Sequence, residues 1–181
     1  MSLTTRIMKP FLLTAIAFLT VSFTVFSQEN RDTSAAAGNW IIPSSINAPL
    51  EMLTPPPTFE PSTAFNGYIS LKTSSAIVML QINDANYLSI VDGITDEYLA
   101  KNQLEFVSRE EFETPYGVSG INFKLKFNLE GTEFVRYMTF VGDLENTLWL
   151  NTTYPKILED LVEQEILIAI HSVNLYPKRK E

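Results

Sequence analysis

Residues 121–130 read Ile-Asn-Phe-Lys-Leu-Lys-Phe-Asn-Leu-Glu, with an apolar side chain at every odd position and a polar one at every even position. Successive side chains on a strand point to opposite faces, so a period of two demands a β-strand with one face on a core and the other in water. The chain must therefore build a sheet. Glu130-Gly131-Thr132 turns it, residues 133–141 return antiparallel, 142–146 turn it again, and 147–153 supply a third strand. Three consecutive strands joined by short turns make a meander.

The flanking segments extend this sheet and cover it. Residues 75–82 (SAIVMLQI) form a short apolar, β-branched run expected to be a buried strand. Thr95 caps a brief helix, with Asp96 and Glu97 at its positive end and Lys101 at its negative end. Residues 104–113 read as a strand that stops at the turn Thr114-Pro115-Tyr116-Gly117. At Tyr154 a terminal helix opens with Pro155 in its first turn, where a missing N–H costs nothing. Leu158, Leu161, Val162, Ile166, Ala169, Ile170 and Val173 follow on one face, as a helix lying across a sheet requires. Six prolines between Pro43 and Pro61 confine that stretch to an edge or a loop. Phe59 and Phe65 flank it and favour burial, so it reads as a strap across the domain, with a polyproline ligand as the alternative.

The N-terminus carries an address. Arg6 and Lys9 precede an apolar run from Phe11 to Phe26, and Val25-Phe26-Ser27 offers a signal-type cleavage site before Gln28. The expectation is an exported protein of the periplasm or cell envelope, cleaved after Ser27, with an uncleaved anchor as the alternative. Residues 28–45 read as a flexible lead-in, 46–176 as a single domain, and 177–181 as a basic tail built on Lys178-Arg179-Lys180.

Composition removes several classes of function. With 13 basic and 21 acidic residues the net charge is −8, and the signal removes only basic ones; nucleic acid is therefore not an expected partner. Absence of cysteine removes disulfides, thiolate metal sites and thiol catalysis. The single His171 near a helix end is better placed to meet the carbonyl dipole than to act as a base. Asn83-Asp84-Ala85-Asn86 begins like a calcium loop but lacks its later ligands and reads as a turn. Glu111 and Glu113 share a strand face with Arg109 and read as a solvated strand end, although paired carboxylates leave a hydrolase as the third functional reading. Asn151-Thr152-Thr153 matches a glycosylation sequon and equally a strand end. No metal and no cofactor are expected.

The order of these segments resembles a known family. Phe59-Glu60-Pro61-Ser62 and Phe65-Asn66-Gly67-Tyr68 lead into a buried strand. A Thr-initiated helix and a turn at Tyr116-Gly117 follow, then residues 136–143 (RYMTFVGD), then Asn151-Thr152-Thr153-Tyr154-Pro155 opening the last helix. Over residues 50–175 this is similar to the PsbP/Mog1-type superfamily, including its exported bacterial members of the DcrB kind. The resemblance implies an α+β fold, an antiparallel sheet of about six strands flanked by helices in an α/β/α sandwich. It also implies a non-catalytic binding or assembly role. The functional expectation is an exported interaction protein with an unknown envelope partner, able to associate peripherally with the membrane, and a monomer or weak dimer. The alternative is a binding protein for a small apolar or carbohydrate ligand. Tyr137, Trp149 and Tyr154 are the candidate binding residues: an apolar patch if one sheet face is bare, core if both are covered.

Overall fold

A computed structural model describes residues 48–177. The signal at 1–27, its cleavage after Ser27, the lead-in at 28–45 and the basic cluster at 178–180 lie outside the described residues.

The described chain forms a seven-stranded sheet. Its strands are β1 (Glu60–Pro61), β2 (Gly67–Ser70), β3 (Ser75–Asn83), β4 (Glu105–Glu113), β5 (Ser119–Leu129), β6 (Thr132–Gly142) and β7 (Asn146–Pro155). They run in the order β1-β2-β3-β7-β6-β5-β4, every neighbour antiparallel. Three helices complete the fold: α1 (Tyr87–Val91), α2 (Asp96–Lys101) and α3 (Glu159–His171). This is the α+β architecture expected from the sequence, with one strand more than anticipated. Two-residue β1 ends at Pro61, at the sheet edge where proline is tolerated.

The sheet separates two cores. On one face α3 packs Val162, Ile166, Ala169 and Ile170 against Ile77, Met79, Val135, Tyr137, Leu150 and Tyr154. On the other, Val91 of α1 and Leu99 of α2 meet Ile121, Phe123, Leu125, Phe127, Phe134, Met138 and Phe140. The apolar alternation of β5 thus faces α1 and α2. Central β6 is buried from Phe134 to Gly142, and its residues divide between the cores in strict alternation. Strap residues Met52, Leu53 and Phe59 join the α3-side core, and Met52 O accepts from Asn174 N–H at 2.9 Å.

Several local expectations change. The polar side of β5 does not face water throughout: Asn122 is 2% exposed and accepts from Thr139 Oγ1 at 2.7 Å, and Lys124 lies beneath α3. Period two reveals which side of a strand is apolar but not what later covers the other side. Pro155 ends β7, and a 3-10 turn at Lys156–Leu158 intervenes before α3. Leu161 leaves the inner stripe and is 65% exposed. Short α1 was not anticipated; Asn86 Oδ1 caps it by accepting from Leu88 N–H at 2.9 Å, which gives the Asn-rich turn a structural use. Among the described residues no helix is long and apolar enough to cross a membrane.

Gly67 fixes the approach of β2 to β3. Its φ is +142°, and a Cβ there would lie 1.9 Å from Ile77 O. At Gly117, φ is +74° with open space around it. Gly117→Ala should therefore cost about 1 kcal/mol for the backbone alone, and Gly67→Ala about 2 kcal/mol or more. Urea unfolding of the two variants checks this; equal losses would contradict the close β2–β3 contact.

Candidate functional site

β6 presents a polar cluster to each face of the sheet. Toward α3 it sends Tyr137. Register places Lys124 of β5 directly beside Tyr137, and Tyr154 of β7 one strand away on the same face. Glu159 and Glu163 stand four residues apart on α3, one turn above the other. Glu163 Oε1 accepts from Tyr137 OH at 2.5 Å, from Tyr154 OH at 3.2 Å and from Lys124 Nζ. Lys124 Nζ also lies 2.7 Å from Glu159 Oε1, while Lys156 pairs with the other oxygen of Glu159.

These contacts set the protonation states. Burial pushes the phenols of Tyr137 and Tyr154 far above the usual tyrosine range, and the Glu163 hydrogen bonds and charge push the same way. Burial would also raise Glu163. Hydrogen bonds from Lys124 and Tyr137, the Lys124 charge and the Tyr154 hydrogen bond together outweigh it and hold the carboxyl below its ordinary value. The cluster is thus an ionised carboxylate with three donors on one oxygen, flanked by phenols that keep their protons. Its physical effect is to fasten α3 to the middle of the sheet.

The opposite face carries Arg136, whose Cα partners are Leu125 on β5 and Thr153 on β7. It is 3% exposed, and its Cζ sits 4.4 Å from the centre of the Phe127 ring. Burial pulls the guanidinium down to about 10, with Tyr98 opposing, so it stays charged at neutral pH. Trp149 lies on this face too, stacked on Phe140 at 6.1 Å between ring centres.

Of the residues singled out from sequence, Tyr137 and Tyr154 therefore meet, with ring centres 6.4 Å apart, inside the α3-side core. Trp149 stands half-buried on the other side of the sheet, so the three form no common surface. Their spacing, 137, 149 and 154, held the answer only with the β6–β7 register. Glu163 and Lys124 were missed, although a Lys in an alternating strand and a Glu one turn along a helix were visible signals. Arg136 was missed as well; it occupies an apolar slot in the alternation Phe134, Met138, Phe140. His171 ends α3 with its ring 4.5 Å from that of Phe112. Glu111 pairs with Arg109 at 2.9 Å on exposed β4. The sequon lies inside β7, with Asn151 5%, Thr152 0% and Thr153 3% exposed, out of reach of a glycosylating enzyme once folded.

Comparison with known proteins gives the fold a relative. No protein-family model matches the chain, and no curated protein matches it. Among solved structures it is similar to LpqN of Mycobacterium tuberculosis, described as involved in cell envelope biogenesis: TM-score 0.55, 14% identity, covering 69% of this chain and 82% of LpqN. A second similar structure is a Pseudomonas aeruginosa protein of unknown function, PA94, with TM-score 0.45 and 12% identity, covering 70% of this chain and 99% of the other. The likeness to LpqN is one of fold.

The acid limb of stability should report on Glu163. Its folded value lies below the ordinary 4.5, so its contribution is present above that pH and fades as pH falls through the folded value. Tyr137 and Tyr154 have raised values, so theirs is present below 10.0 and fades above it. Glu163→Gln should lower stability by about 2 kcal/mol at neutral pH and flatten the acid limb. Urea midpoints taken from pH 3 to 8 measure both. An acid limb as steep in the variant as in the parent would place its origin elsewhere.

Proposed function

We propose that this chain is a non-catalytic interaction protein of the cell envelope, of the PsbP/Mog1 kind, exported through residues 1–27. The leader composition and the fold shared with an envelope-biogenesis protein support the address. One structural observation carries the interaction role. Besides its buried stripe, α3 and the turn before it bear an outer one: Ile157 is 90% exposed, Leu161 65% and Ile168 61%. Leu161 and Ile168 lie seven residues apart along one side of the helix, and Ile157 is exposed in the 3-10 turn just before it. Asp160, Gln164 and Glu165, all exposed, border it.

An aliphatic stripe with an acidic border suits a protein partner that offers an apolar groove rimmed by basic residues. The sheet supplies a rigid mount for that surface, because the Glu163 cluster holds α3 from beneath. Neither peripheral membrane attachment nor a weak dimer is required for this role, and both remain compatible with it.

A photo-crosslinking residue at Leu161, introduced in cells, should yield a discrete adduct that the same probe at exposed Glu130 does not. Leu161→Asp should remove the adduct that a probe at Ile168 gives while changing stability by less than about 0.5 kcal/mol. Identical adducts from Leu161 and Glu130, or none from either stripe position, would contradict the assignment.

A further inference from the structure

The two edges of the sheet differ in what they offer a further strand. β1 is two residues long and ends in Pro61, whose nitrogen has no hydrogen to donate. β4, at the other end, runs from Glu105 to Glu113, and every residue of it except Phe112 is exposed. Its register with β5 is unbroken from Ser108 to Glu113 and shifts only between Phe106 and Ser108. Beyond the shift, the edge is straight enough to serve as a template.

The turn that joins β4 to β5 shows which backbone groups point outward. Thr114 N–H donates to Val118 O at 2.9 Å, so these two residues form a hydrogen-bonded pair. Such pairs recur at every second residue of an antiparallel ladder. Phe112, Glu110 and Ser108 therefore bond to β5, opposite Gly120, Asn122 and Lys124. Arg109, Glu111 and Glu113 direct their N–H and C=O groups away from it. Among the described residues no strand pairs with that side of β4.

The side chains select what can pair there. β4 carries Glu105, Glu110, Glu111 and Glu113 against the single cation Arg109, which Glu111 already answers at 2.9 Å. Glu110 and Glu111 fall on opposite faces of the strand, so an added chain meets negative charge on both sides. A second copy is a poor occupant. The register that sets Arg109 opposite a second copy's Glu111 places the two Glu110 side chains against each other, and each chain bears a net charge of −8. A basic strand meets no such repulsion. At the start of the edge Phe106 is 51% and Val107 39% exposed, which gives its apolar side chains a place to rest.

We propose that the outer edge of β4 takes up an extended segment of another protein as an added strand. The segment bonds to the backbone of Arg109, Glu111 and Glu113 and sets lysine or arginine side chains against the glutamates. The site uses none of the residues of the outer α3 stripe, so its failure leaves the role assigned to that stripe untouched.

The test uses the full mature chain and two fluorescein-labelled peptides of about eight residues, one alternating lysine with valine and one alternating glutamate with valine. The lysine peptide should bind, and the glutamate peptide should bind at least about tenfold more weakly. Amide exchange followed by NMR should slow at Arg109, Glu111 and Glu113 when the lysine peptide is added, and stay as it was at Ser108, Glu110 and Phe112. Glu111→Pro removes an outward N–H that β5 does not use, at an edge where proline is tolerated, and should weaken the lysine peptide by at least about tenfold. Exposed Glu110 and Glu113 can both be changed to Lys without loss of the fold, and that double variant should prefer the glutamate peptide.

Equal binding of the two peptides, no binding of the lysine peptide, or slowing at amides other than those three would overturn the proposal. So would unchanged binding in a folded Glu111→Pro; if that variant does not fold, an unreversed preference in the double variant has the same force. Slow exchange at Arg109, Glu111 and Glu113 in the chain alone would mean that a second copy or the chain's own basic tail holds the edge, and would equally overturn it.

Discussion

A strand buried on both faces must satisfy two interiors with one sequence, and β6 sets this condition for the whole domain. Its alternate residues enter opposite cores, so every inward polar group on it must find a partner within hydrogen-bonding reach or remain a cost. At Tyr137 the partner is Glu163, which draws in Tyr154 and Lys124 and thereby fixes the seat of α3. At Arg136, one residue earlier, the ring of Phe127 shields the cation but supplies no anion. The two faces of the domain follow from this asymmetry: one gathers a lysine and two phenols around a carboxylate, and the other buries a cation against an aromatic ring.

The closed face explains how α3 can serve as a mount. A helix held only by apolar contacts could slide by a side chain's width at modest cost. A carboxylate with three donors on one oxygen fixes both its height and its rotation over the sheet. Rotation decides which side chains look outward, so the exposure of Leu161 and Ile168 depends on the Glu163 contacts beneath the helix.

Much of this architecture was legible in the sequence. The alternation at 121–130, the meander that follows, the Thr95 cap and the inner stripe of α3 all depend on neighbours within a few residues, where pattern and propensity speak directly. What pattern could not provide was register between distant segments. It placed Tyr137, Tyr154 and Trp149 on adjoining strands without saying that the two tyrosines face α3 and Trp149 faces away. It exposed the polar side of β5 because the helix that covers Lys124 begins some thirty-five residues later. Arg136 was passed over for a related reason: an arginine in an apolar slot is informative only when the slot is known to be interior.

The likeness to LpqN, at 14% identity, shows how far this fold travels without its side chains. Function on such a scaffold belongs to particular residues, and the surface proposed here is the outer side of α3, held from beneath by the Glu163 contacts. The central claim is that the Glu163 contacts fix the seat of α3 on the sheet. Amide hydrogen exchange tests it most directly, by comparing Glu163→Gln with the parent chain. The account predicts that the α3 amides of the variant lose protection by about tenfold while those of β5 and β6 keep theirs. Unchanged protection of the α3 amides in a folded Glu163→Gln would contradict it.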